Sequence, residues 1–125
     1  MGFFDAFVND KSNLWPGQIL ETMDEFETIL KASFSIPQLI FKHSTRCNIS
    51  HIVKNDFISN YGFSNDDFGL WHLDLLANRT VSNAISHQLG VVHQSPQLIV
   101  IKNGKALKSA SHENIRDVLL SKFLN

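Results

Sequence analysis

Gln38-Leu39-Ile40-Phe41-Lys42-His43-Ser44-Thr45-Arg46-Cys47-Asn48-Ile49-Ser50 is the stretch on which the fold of this chain turns. Gln38 to Lys42 is a short, mostly apolar run, the mark of a strand buried on both faces. His43 to Arg46 is a polar turn. Cys47 follows, and Ile49 to Ile58 repeats apolar residues (Ile49, Ile52, Val53, Phe57) on one helical face. A strand thus runs through a turn into a helix, with the chain's only cysteine at the junction.

Upstream, Ile19 to Ala32 is predicted as a helix. Leu20, Met23, Phe26, Ile29 and Leu30 recur at steps of three and four, and Glu21, Asp24, Glu25 and Glu27 fill the other face. Residues 1–18 form an N-terminal arm; its first dozen residues are rich in Phe and read equally as a docked arm or a loose tail. Downstream, Phe68 to Leu75 is a second strand. Asn78 to Leu89 is a third helix, closed by Gly90 at its C-terminal cap. Gln97 to Ile101 is the strongest strand pattern. After it, Asn103-Gly104 marks a type I′ hairpin, because that turn needs φ > 0 at two residues. Ala106 to Ala110 is the return strand, and Ser111 caps a last helix from His112 to Leu124, with Ile115, Val118, Leu119 and Phe123 inward.

The order α-β-α-β-α-β-β-α implies a parallel first pair of strands and a terminal hairpin. A central four-stranded mixed sheet with helices on both faces satisfies these connections. The fold class is α/β, the thioredoxin-like arrangement with an extra N-terminal helix.

The chain has 125 residues, enough for one domain, and 43% are hydrophobic. Eleven basic and twelve acidic residues give a net charge of −1, without the excess of basic residues that nucleic-acid or membrane-surface binding favours. No apolar run reaches the length of a membrane span. The start lacks a signal peptide's basic region, and Ala6 breaks the myristoylation pattern. One cysteine cannot close an intramolecular disulfide. The expected setting is therefore cytoplasmic, with a free thiol, a monomer, and neither nucleic acid nor membrane as partner.

If the second helix begins at Cys47, its unpaired N–H groups and dipole face the sulfur and favour thiolate, the nucleophilic form. Arg46 adds a positive charge next door. The competing reading is a buried structural cysteine, against which stand the polar neighbours Ser44, Thr45, Arg46 and Asn48. Cys47-Asn48-Ile49-Ser50 has the form C-x-x-S. Ser50 stands where a C-x-x-C protein carries its resolving cysteine, and a hydroxyl cannot release a mixed disulfide. Any disulfide at Cys47 must therefore be released by a thiol from solution, which is monothiol chemistry. Ser50 reads equally as a donor to the thiolate or as an ordinary first-turn residue.

Ser95-Pro96 precedes the strongest strand. The proline either simply opens that strand or follows a cis bond, as in thioredoxin-like folds, where the residue before it offers its backbone to an extended substrate. Six histidines are present, but no C-x-x-C or H-x₃-H cluster completes a metal site. His43 and His93 read either as neighbours that tune the thiolate or, the commoner case, as surface or capping residues, and Trp15 and Trp71 as packing residues.

The segment Phe41 to Ser50 closely resembles the active-site segment of the monothiol bacilliredoxins of the YtxJ type. Gly90-Val91-Val92-His93-Gln94-Ser95-Pro96-Gln97 and Ala110-Ser111-His112 resemble that family too. The resemblance implies a thioredoxin fold and an oxidoreductase that removes bacillithiol, a low-molecular-weight thiol of some bacteria, from protein mixed disulfides. It makes Cys47 the nucleophile, Ser95 and Pro96 the substrate-side turn, and Ser50 a supporting residue; Arg46 and Thr45, next to the thiol in sequence, are expected to support it as well. The partners it implies are S-thiolated client proteins and a small thiol, with bacillithiol or a similar thiol as co-substrate and no tightly bound cofactor. Asn48 departs from the family, which usually has proline after the cysteine. Two other functions compete: a non-catalytic thioredoxin-like adaptor, and an iron–sulfur carrier like the monothiol glutaredoxins, whose Gly-Phe after the cysteine is absent here.

Overall fold

A computed structural model of the chain describes residues 14–125. Whether the first dozen residues dock or hang free lies outside them, as do the start-of-chain motifs.

The strands are β1 (Gln18–Ile19), β2 (Gln38–His43), β3 (Gly69–Asp74), β4 (Gln97–Lys102) and β5 (Lys105–Ser111). They form one five-stranded sheet in the order β1-β3-β2-β4-β5. β1, β3 and β2 are parallel, and β4 runs antiparallel to both β2 and β5. The helices are α1 (Met23–Ala32), α2 (Asn48–Asn60) and α3 (Arg79–Leu89). Among the described residues, no helix is long and apolar enough to cross a membrane.

β2 lies at the centre and is buried along its whole length, as its apolar run requires. Its alternate residues feed two cores. Ile40 joins Phe26, Ile29 and Ile85 under α1 and α3. Leu39 and Phe41 join Phe57, Leu98 and Ile115 under α2 and the C-terminal turns. Two helical layers on one sheet follow from this period-two pattern.

The structure corrects the start of the first helix and the type of the last, and adds one strand. The first helix starts at Met23, not Ile19, because Thr22 closes a capping box with Glu25. Glu25 N–H donates to Thr22 Oγ1 at 3.1 Å, and Thr22 N–H donates to Glu25 Oε1 at 3.0 Å. That reciprocal pair satisfies two donors that a helix starting at Met23 leaves without an intrahelical partner. The residues before it are freed to pair: Gln18 and Ile19 align with Trp71 and His72, giving the sheet a fifth strand beyond the expected four. Gly17 makes the close approach possible, since a Cβ there would collide with the Leu70 carbonyl oxygen.

The last helix is not an α-helix. It is two 3₁₀ turns, His112–Asp117 and Leu120–Phe123. His112 sits at φ 54° and its N–H bonds the Pro96 carbonyl at 3.0 Å, so it continues the sheet's hydrogen bonding and does not open an α-helix. Ser111 makes no side-chain cap. The extended break at Val118–Leu119 shifts the helical phase. Ile115, Val118 and Phe123 pack inward as expected, but Leu120 replaces Leu119, which is exposed. The hairpin stands as read: Asn103 and Gly104 have φ of 54° and 74°.

Candidate thiol redox site

Cys47 is the N-cap of α2, with extended backbone at φ −109° and ψ 119°. The turn before it is held by Cys47 N–H donating to Ser44 O at 3.2 Å, and the helix begins when His51 N–H donates to Cys47 O at 3.2 Å. The sulfur therefore stands at the positive end of a 13-residue helix. It is half-buried and free.

The Ser50 amide, then burial acting the other way, then the Ile49 amide and the Ser50 hydroxyl, set the thiol's acidity, and the net effect holds it below its ordinary value. No full cap bond closes on the sulfur. The donors act on it as an electrostatic field, which strengthens as the sulfur ionises and becomes a good acceptor. Ser50 itself is fully buried, and its Oγ lies 3.5 Å from Ser95 Oγ. Ser95 is half-buried, Pro96 is buried, and the bond between them is cis. The structure thus brings Cys47, Ser50 and Ser95–Pro96 together.

The other two supporting residues lie apart from this contact. Thr45 is exposed, and its carbonyl meets His51 Nε2 at 3.1 Å, so it shapes the loop through its backbone. Arg46 is exposed, and its charge is not among the causes of the thiol's shift. Asn48 opens α2 in an exposed position.

The sequence missed a layer beneath the site. His43 is buried at 1% exposure rather than lying at the surface. Its ring meets His51 edge-on at 4.8 Å between centroids and His72 at 5.3 Å, and His72 lies 5.2 Å from Trp15. Burial, with Lys54 second, pushes both His43 and His72 down to about 4. The period-two pattern of β2 and β3 was the available signal, since it turns both rings into the sheet's α2 face. The tryptophans do pack: Trp71 donates to Gln38 Oε1 at 3.0 Å, and Trp15 stacks on Phe57 at 6.0 Å. Among the described residues, no group of three or more His, Cys, Asp or Glu side chains is placed to hold a metal ion.

An ionisable sulfur at a helix head, facing a buried proline turn at the mouth of a mixed sheet, makes this a thioredoxin-fold protein with a thiol redox function. The chain belongs to the monothiol bacilliredoxin family, BrxC, whose sequence model matches residues 18–120. It is similar to a proposed oxidoreductase with a thioredoxin fold, at 25% identity over 79% of this chain and 85% of that one, with a TM-score of 0.65. Two thioredoxins share the fold at lower identity. That of Malassezia sympodialis is 14% identical over 85% of this chain and 89% of its own, with a TM-score of 0.67. The oxidised thioredoxin of Plasmodium falciparum is 14% identical over 87% and 99%, with a TM-score of 0.66.

Proposed function

We propose that this protein removes bacillithiol from protein mixed disulfides by monothiol exchange in the cytoplasm, acting as a monomer with no tightly bound cofactor. The observation that carries the proposal is the pairing of one activated thiol with a buried hydroxyl at the resolving position: Cys47 at the head of α2, and Ser50 fully buried one turn on.

The Cys47 thiolate attacks the bacillithiol sulfur of a client's mixed disulfide. The client's S–S bond breaks, its thiolate leaves and takes a proton from water, and a Cys47–bacillithiol disulfide forms. A second bacillithiol thiolate attacks the bacillithiol sulfur of that adduct. Cys47 leaves as thiolate, and bacillithiol disulfide is released. Overall one disulfide is exchanged for another: the client's mixed disulfide and one free bacillithiol thiol become the client thiol and bacillithiol disulfide, so the reducing equivalent comes from that one free thiol. Amide and hydroxyl donors around Cys47 lower its basicity, which favours both its ionisation and its departure in the second step. Ser95, beside Ser50, offers the backbone against which an extended client segment pairs, with Pro96 holding the turn. Arg46 and Thr45 flank the thiol on the loop.

Incubating a bacillithiolated client with bacillithiol and either the wild type or Cys47→Ala tests this. The wild type is expected to restore the client thiol and the variant to leave it blocked. Equal recovery in the two would remove the proposal.

A further inference from the structure

Lys42 and Gln97 face each other across the β2–β4 ladder, so their side chains leave the sheet on one face. Both are buried, at 0% and 2% exposure. A lysine in a central strand is costly to bury unless its amine is partnered. Here Lys42 Nζ donates to the Ser82 carbonyl at 3.0 Å and to Ser86 Oγ at 2.9 Å, and it reaches His93 Nδ1 at 3.5 Å. Among the described residues no carboxylate pairs with it. Gln97 Nε2 donates to the Val92 carbonyl at 2.9 Å. One rung of the sheet therefore grips two consecutive residues, Val92 and His93, of the loop between α3 and β4.

That loop has little burial of its own. Val91 packs at the edge of the core, but Val92 is 78% exposed and His93 is also exposed. The loop ends in Ser95, whose hydroxyl touches Ser50, the residue that acts on the Cys47 sulfur. A chain of polar contacts therefore runs from the Lys42–Gln97 rung, through Val92 and His93, to the turn facing the nucleophile.

We infer that Lys42 and Gln97 are positioning residues that hold the Ser95–Pro96 turn in register with Cys47 and thereby set affinity for the polypeptide part of the substrate. This rests on the thiol-exchange function proposed above. The sulfur's own donors lie on α2 and do not pass through the rung. Loosening the loop therefore weakens client binding more than it alters the thiol.

Lys42→Met and Gln97→Leu, each near in shape to the original side chain, test the inference with a synthetic peptide carrying a bacillithiol mixed disulfide. The expected results are backbone N–H order parameters at His93, Gln94 and Ser95 that fall into the flexible range, below about 0.6, and a KM raised about tenfold with kcat falling less. The pH midpoint for alkylation of Cys47 is expected to stay at the wild-type value. A folded variant whose loop order parameters match the wild type overturns the inference. So does one whose loop loosens while KM stays put, or whose kcat alone falls. If Lys42→Met does not fold, Gln97→Leu decides by the same readouts. Absence of thiol-exchange activity in the wild type would sink the proposed function instead, and the loop's order parameters would still decide whether the rung holds the turn.

Discussion

The hydroxyls of Ser50 and Ser95 lie 3.5 Å apart, joining the first turn of the nucleophile's helix to the residue before the proline. Ser50 is fully buried there, so its hydroxyl has a fixed neighbourhood: the Cys47 sulfur on one side and the substrate-side turn on the other. The position that holds a resolving thiol in dithiol proteins here serves as a junction.

Removing that hydroxyl is expected to raise the Cys47 thiol only part of the way toward its ordinary value. The Ser50 and Ile49 amides also lower it, the Ser50 amide most of all, and they remain in Ser50→Ala. Iodoacetamide alkylation across pH measures the midpoint. A midpoint unchanged from the wild type would show that the hydroxyl does not act on the sulfur.

Putting a thiol at the junction is expected to change the mechanism rather than the fold. In Ser50→Cys the new sulfur sits one helical turn from Cys47, the spacing of dithiol redox proteins. Under mild oxidant the variant should lose two hydrogens by mass as an internal disulfide forms, and its bacillithiol adduct should become short-lived. A long-lived adduct with no internal disulfide would mean that the buried site holds the two sulfurs apart.

Much of this was legible in the sequence because single residues carried strong local rules. Asn103-Gly104 specified a turn that needs two positive φ values, and Gly90 a left-handed cap, and both are found. Cys47 stood at a strand-to-helix junction because an apolar run met a helical repeat. What failed was local pattern under tertiary override. Ile19 and Leu20 fit the α1 repeat, yet Ile19 pairs with His72 and Leu20 N–H bonds the His72 carbonyl at 2.8 Å. The C-terminal repeat from Ile115 to Phe123 fits an α-helix nearly as well as two tighter turns, and the positive φ at His112 and the extended break at Val118–Leu119 separate them. The grip of Lys42 on His93 spans 51 positions, and no local pattern reports such a contact.

The capping box that overrode the expected start of α1 gives a stability control remote from the thiol. Thr22→Ala removes the side-chain acceptor for the Glu25 amide and is expected to cost about 1 kcal/mol. Urea unfolding measures it, and the Cys47 alkylation midpoint should not move. A shift of that midpoint would show that α1 and the site are coupled in a way the packing does not suggest.

Acid should unfold this protein through the paired histidines beneath the site. His43 and His72 are held down to about 4, by burial first and by the Lys54 charge next, with Asp74 acting in the opposite direction on both. In the unfolded chain they titrate near the ordinary ~6.5. Between those values the unfolded state binds more protons, so stability rises with pH across the window. The stabilisation is complete above roughly 6.5, is lost progressively as pH falls, and is gone below about 4. Each ring contributes at most on the order of 3 kcal/mol. The orphaned atoms, His43 Nδ1 and His72 Nε2, already cost hydrogen-bonding energy, so an apolar ring at one position forfeits little at neutral pH. His72→Phe should therefore match the wild type within about 1 kcal/mol at pH 7.5 and lose distinctly less stability on going to pH 5. Urea midpoints at the two pH values give the comparison. Equal losses in variant and wild type would assign the acid sensitivity to the carboxylates instead.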